Sequence, residues 1–168
     1  MKTLPPSPGS PPPVPPDRFL ADPNEYLLRQ AWDEGFATAI HLHLDLRSGD
    51  FELRKAGHPP AIWLHAGSGR WSVLDSDGPI LGLMEDATFE VVRGRLLPDD
   101  GLLMYTDGIV ETVSRDIGSG IDKLAGRAQL LFPTGFGRAA QKLISDLSTS
   151  NDDAALVLVH RQRVLLPR

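Results

Sequence analysis

Between Phe36 and Leu46 apolar and polar side chains alternate: Ile40, Leu42, Leu44 and Leu46 fall on one side, His41, His43 and Asp45 on the other. A period of two is that of a half-buried strand. Ser48-Gly49 predicts a turn, and Asp50 to Ala56 predicts a returning strand, which together make a hairpin. A second hairpin is expected from Ala61 to Ala66 and Trp71 to Leu74 around Gly67-Ser68-Gly69. A loop punctuated by Gly78-Pro79 and Gly82 follows, then a strand from Thr88 to Leu96 and a turn at Pro98-Asp99-Asp100-Gly101. Leu102 to Thr106 is continuously apolar and predicts a fully buried strand.

The period then changes. Ile121, Leu124, Ala125, Ala128 and Leu131 recur at helical spacing, as do Ala139, Ala140, Leu143, Ile144 and Leu147. A last buried strand is expected from Ala154 to His160. Upstream, Pro23 to Trp32 predicts a helix with Asp22 as N-cap and Pro23 at its first position. Many antiparallel strands, two helices and a closing strand describe an α+β domain and not a βαβ repeat.

Composition narrows the function classes. A chain of 168 residues suits one domain. Its net charge of −5, with no cluster of Lys or Arg, argues against a nucleic-acid partner. With no cysteine, thiol catalysis, disulfides and zinc-thiolate sites are excluded. The longest apolar runs are strand-sized, too short to span a membrane, and the first residues lack the apolar core of a secretory signal, so a cytoplasmic location is expected. Residues 1–16 hold eight prolines. Fixed φ and missing N–H groups predict an extended or disordered tail, either a linker or a ligand for a polyproline-reading domain.

Two acidic sites stand at strand ends. Asp107-Gly108 follows the buried strand Leu102 to Thr106, and Asp152-Asp153 precedes the buried strand Ala154 to Val159. A carboxylate projected from the end of a packed strand suits a hard divalent cation. Each sequence is also an ordinary turn or solvated loop. His58, in Gly57-His58-Pro59-Pro60, has the residue type of a general acid and equally that of a loop histidine. His41-x-His43 lacks further zinc ligands nearby and reads as a solvated or helix-covered face, and Arg54 and Lys55 read as ordinary strand residues.

The ordered set is more specific than its parts: Phe36-Ala37-Thr38-Ala39, Ala56-Gly57-His58-Pro59-Pro60, Gly78-Pro79-Ile80-Leu81-Gly82, Leu103 to Glu111 around Thr106-Asp107-Gly108, and Asp152-Asp153 before an apolar strand. In this order and with these gaps it resembles the sporulation-stage-II-protein-E-like branch of the PPM-type (type 2C) phosphatases, from about Asn24 to Arg161. The resemblance implies a partial αββα sandwich of antiparallel sheets with flanking helices. It also implies hydrolysis of phosphoserine or phosphothreonine in a protein, assisted by two Mn²⁺ or Mg²⁺ ions. Asp107 and Asp152 match metal ligands. Asp153 and Gly108 take adjacent motif positions, and His58 a motif position without an assumed catalytic role. Family substrates are often phosphorylated anti-anti-sigma (STAS-domain) regulators.

One departure stands out. The family's first motif, Gly-Asp-Val-x-Gly-x-Gly, which gives the bridging Asp, has no counterpart in this sequence. Asp33-Glu34-Gly35 abuts the Phe36 strand too closely to replace it, and Asp17 and Asp22 lack glycine context. Residues 17–168 are therefore expected to be the C-terminal portion of such a domain. Two readings stay open: a phosphatase domain of a signalling pathway with at most one weakly held cation, or an inactive remnant that binds the pathway's partners.

Overall fold

The computed structural model describes residues 15–30, 35–110, 117–132, 135–147 and 153–163. Two antiparallel sheets pack face to face. The first holds β1 (Ala39–Leu44), β2 (Asp50–Ala56) and β5 (Val92–Arg95) in the order β1-β2-β5. The second holds β3 (Ala61–His65), β4 (Arg70–Leu74), β6 (Gly101–Tyr105) and β7 (Leu156–His160) in the order β4-β3-β6-β7. Helix α1 (Arg18–Arg29) lies on the outer face of the first sheet, while α2 (Ile117–Leu131) and α3 (Phe136–Leu147) cover the second. This is the α+β class the sequence pattern predicts, in the helix–sheet–sheet–helix layering that the resemblance implies.

Alternation along the strands builds two cores. Phe51, Leu53, Ala61, Leu74, Leu96 and Leu102 fill the space between the sheets. On the other face of the second sheet, Ile62, Leu64, Leu103 and Tyr105 meet Leu124, Ala125, Ala128, Ala139 and Leu143 of the helices. β6 is buried on both faces, so its apolar run has no polar alternation.

Several expected boundaries move. The β1–β2 hairpin forms in the predicted register, with Leu42 opposite Leu53, but β1 stops at Leu44. Asp45 turns its carboxylate onto the N–H groups of Arg47 and Ser48 (2.8 and 3.0 Å), which ends the strand and leaves Leu46 86% exposed instead of inward. The strand expected from Thr88 pairs over Val92–Arg95 alone. Helix α1 starts at Arg18, not Pro23, so Pro23 lies inside it. Proline there removes one intrahelical bond. Leu20 packing with Ala56 and Leu81, and an Arg18–Asp22 ion pair one turn apart, carry the helix across that position. Its Asn24 is buried and ties the helix to a loop, donating to Met84 O (3.0 Å) and accepting from Gly82 N (2.8 Å).

The face bearing His41 and His43 is helix-covered. Phe19 of α1 stacks on the His41 ring, with centroids 4.4 Å apart and planes 12° from parallel. Arg54 beside it is not an ordinary surface residue: its side chain is 8% exposed and pairs with Glu52 at 3.0 Å. Of the proline segment, residues 1–14 lie outside the described residues. Pro15 accepts the Arg18 N–H, and Pro16 lines a cavity with His43 and Glu52.

Candidate active site

β6 and β7 run antiparallel, with Tyr105 opposite Leu156 as their last pair. The C-terminal end of β6 therefore lies beside the start of β7, about 4.8 Å away. Thr106 extends the junction. Its N–H donates to Ala155 O (3.0 Å), its hydroxyl accepts from Ala155 N (2.8 Å) and donates to Asp153 O (3.3 Å). One residue further, the chain turns into a single 3-10 turn, Asp107–Ile109. Asp107 is exposed and Gly108 buried, and the Gly108 N–H donates to Asp107 Oδ1 (3.0 Å). Two acidic sites 46 residues apart in sequence (Asp107 of Asp107-Gly108 and the Asp153 end of Asp152-Asp153) thus meet at one end of the sandwich. Asp153 is described and exposed. Asp152 lies outside the described residues.

His58 follows β2 at this same end. It is half-buried, and its Nδ1 sits 2.9 Å from Pro59 O, the contact of a ring that orders its own loop. Gly57 has φ +60° and donates to Gly78 O (3.0 Å). A β-carbon on Gly57 would strike Ile80, and one on Gly78 would strike the Lys55 carbonyl. The Gly-His and Gly-Pro motifs of the sequence are thus two sides of one close-packed loop pair.

Lys55 and Asp75 here lie outside every motif, and Tyr105 lies inside one without being singled out by it. Lys55 points from β2 into the gap between the sheets, in step with Phe51 and Leu53, and its Nζ lies 3.0 Å from Asp75 Oδ1, just beyond β4. Tyr105 is buried, and its hydroxyl has no partner among the described residues. Burial, with the nearby Asp75 carboxylate second, pushes its phenol well above the ordinary value. The signal that could have found Lys55 is its phase: a cation on the apolar side of an alternating strand.

The donor chemistry at this end, carboxylate oxygen, is that of Mn²⁺ or Mg²⁺. Among the described residues no group of three His, Asp or Glu side chains gathers to hold an ion. What the described residues offer fits part of one hard-cation shell and not a two-ion cage.

A family model described as Stage II sporulation protein E (SpoIIE) matches residues 7–162. The chain belongs to this family. It is 36% identical over 76 residues to the phosphoserine phosphatase RsbP of Bacillus subtilis, across 45% of this chain and 19% of that protein. A solved structure of the RsbU and RsbW domains of Rv1364c from Mycobacterium tuberculosis is 27% identical, with TM-score 0.64 over 74% of this chain and 36% of that one. The SpoIIE phosphatase domain from Bacillus subtilis shares the fold at 18% identity, with TM-score 0.68 over 89% of this chain and 68% of that one. The chain spans about a fifth of the length of RsbP. Its fold is that of a PP2C-like, SpoIIE-type phosphatase domain.

Proposed function

We propose that residues 17–168 act as a metal-dependent phosphatase domain of a bacterial signalling pathway, removing phosphate from serine or threonine of a protein regulator of the anti-anti-sigma (STAS) kind. The observation that carries this reading is the junction of β6 with β7, where Thr106 ties the Asp107 turn to the Asp153 backbone. Asp107 and Asp152 would hold one Mn²⁺ or Mg²⁺, with Gly108 shaping the turn and Asp153 supporting it by its backbone. When bound, such an ion lowers the pKa of a coordinated water and neutralises phosphoryl charge. The protein's own part is to hold the Asp107 turn at the end of a packed strand, so that its position does not depend on the cation. His58 orders the neighbouring loop through Pro59, with no catalytic role assigned to it. No described helix is long and apolar enough to cross a membrane; a cytoplasmic setting is part of the proposal.

A second reading has its own support. The sequence holds no Gly-Asp-Val-x-Gly segment, and no third ligand gathers among the described residues. On that reading the domain binds the pathway's partners without turnover.

Titration of Mn²⁺ into the purified chain, together with hydrolysis of a phosphoserine peptide, tests both. One weak Mn²⁺ site lost in Asp107→Asn and in Asp152→Asn, with Mn²⁺-dependent hydrolysis lost in the same variants, supports the phosphatase reading. Mn²⁺ binding without hydrolysis supports the partner-binding reading. Binding that ignores both substitutions sinks the metal assignment.

A further inference from the structure

We propose that Lys55 is a phosphate-positioning residue: its ammonium exchanges the Asp75 carboxylate for the phosphoryl oxygens of a substrate at the Asp107 end of the sandwich. This rests on the phosphatase reading and names the group that would hold the phosphate. Phosphoryl transfer needs a cation on the substrate's oxygens, and a lysine serves as a point charge for phosphate.

The strands dictate where Lys55 points. On β2, Phe51, Leu53 and Lys55 share the face that looks into the space between the sheets, with Ile40 opposite Lys55 on β1. Arg54, the adjacent cation, faces the other way, beneath α1, and is engaged by Glu52. Among the described residues of the two sheets, Lys55 is the cation whose stem enters the gap at this end. Packed sheets lie about 10 Å apart, and a lysine stem reaches across most of that distance. It does so here, meeting Asp75 on the second sheet at 3.0 Å with 16% of its side chain exposed.

The position relative to Asp107 follows from strand order. Asp75 follows the last residue of β4, Asp107 lies two residues past the end of β6, and β3 runs between those strands. Two strand spacings put the ends of β4 and β6 about 10 Å apart along the sheet edge. A phosphoryl group at this edge, in the place the Asp75 carboxylate takes, is within reach of the Lys55 ammonium. Asp75 is the partner Lys55 can leave: its side chain is 65% exposed, and a pair with one such member is weak. A dianionic phosphate competes well for the same ammonium. The Lys55 carbonyl is held too, because Gly78 packs directly on it. The stem therefore moves from a fixed root.

The test separates this role from a tie between the sheets. Inorganic phosphate is titrated into the full chain and into Lys55→Met, Lys55→Arg and Asp75→Asn, followed by NMR shifts, with thermal unfolding run in parallel. Lys55→Met and Asp75→Asn both lose the ion pair and are expected to unfold alike. Phosphate affinity is expected to part them, falling about tenfold in Lys55→Met, staying near wild type in Lys55→Arg, and rising in Asp75→Asn as the competing carboxylate is removed. Equal phosphate affinity in wild type and Lys55→Met overturns the proposal, as does an absence of phosphate binding to wild type or a parallel loss in Asp75→Asn. Hydrolysis of a phosphoserine peptide by Lys55→Met with unchanged KM overturns this proposal while leaving the phosphatase reading intact. Lys55-dependent phosphate binding without hydrolysis in any variant supports this proposal while that reading fails.

Discussion

The Thr106 hydroxyl accepts a hydrogen bond from the Ala155 N–H at 2.8 Å, closing the β6–β7 ladder one residue beyond its last pair. The same hydroxyl reaches Asp153 O, so a single side chain ties the start of the Asp107 turn to the Asp153 backbone. Thr106→Val keeps the shape and removes both contacts. The expected cost is about 1 kcal/mol in urea unfolding, with a larger proportional loss of Mn²⁺ affinity than of stability. A variant with wild-type affinity would show that the backbone ladder alone places the acids.

What the sequence made legible was local. The β1–β2 hairpin, the buried run of β6 and both C-terminal helices follow from period and turn chemistry, and so does the place of Asp107 just past the end of that buried run. What escaped was paired over long range. Asp22-Pro23 looks like a helix start, yet burial of Leu20 against Ala56 and Leu81 starts α1 earlier. Strand alternation sends the neighbouring cations Arg54 and Lys55 to opposite faces, but the partners they meet there, Glu52 beneath α1 and Asp75 beyond β4, are set by the stacking of helix and sheets. Asp100 looked like one more turn residue.

Asp100 is in fact 2% exposed. Its carboxylate accepts from Ala66 N (2.9 Å), Leu97 N (2.9 Å) and Trp63 Nε1 (3.3 Å), joining the β3–β4 hairpin to the turn before β6. Asp100→Ala strands three donors, and a loss of about 3 kcal/mol is expected. Denaturant unfolding followed by tryptophan fluorescence reads it, and a cost below about 1 kcal/mol would mean water replaces the carboxylate.

His41 makes folding sensitive to mild acid. Burial under Phe19 is the first cause holding its pKa below 6.5, followed by the charges of Arg54 and His43, while Glu52 opposes them. The unfolded chain therefore takes up this proton first. The His41 contribution is fully present above the unfolded value and is lost as pH falls below about 6.5 towards the folded one. His160, also lowered by burial, acts in the same direction. Urea midpoints at neutral and mildly acidic pH should differ less in His41→Phe than in wild type, because the variant keeps an aromatic ring against Phe19 without a titrating group. An unchanged pH slope in that variant would assign the effect elsewhere.

The open side of the sandwich leads to the remaining expectation. β7 pairs with β6 alone among the described strands, and β1 is the edge of the other sheet. The two edges lie on the same side, since Leu44 and Val159 line one cavity. Core residues thin out towards it. Phe51 and Leu53 on β2 are 2% and 0% exposed, whereas Ile40, Leu42 and Leu44 on β1 are only partly buried. Val157, on the inward face of β7 with Met104, is 55% exposed. From Leu156 to His160 the strand has no Lys, Arg, Asp, Glu or Pro, the residues that keep an edge from pairing with another copy. Concentration-dependent self-association is therefore expected in sedimentation, together with binding of a hydrophobic dye. Val157→Lys puts a charge on the edge and should return the chain to monomer while changing stability by less than about 0.5 kcal/mol. A wild-type chain that stays monomeric at high concentration and binds no dye would mean that this edge is closed in solution.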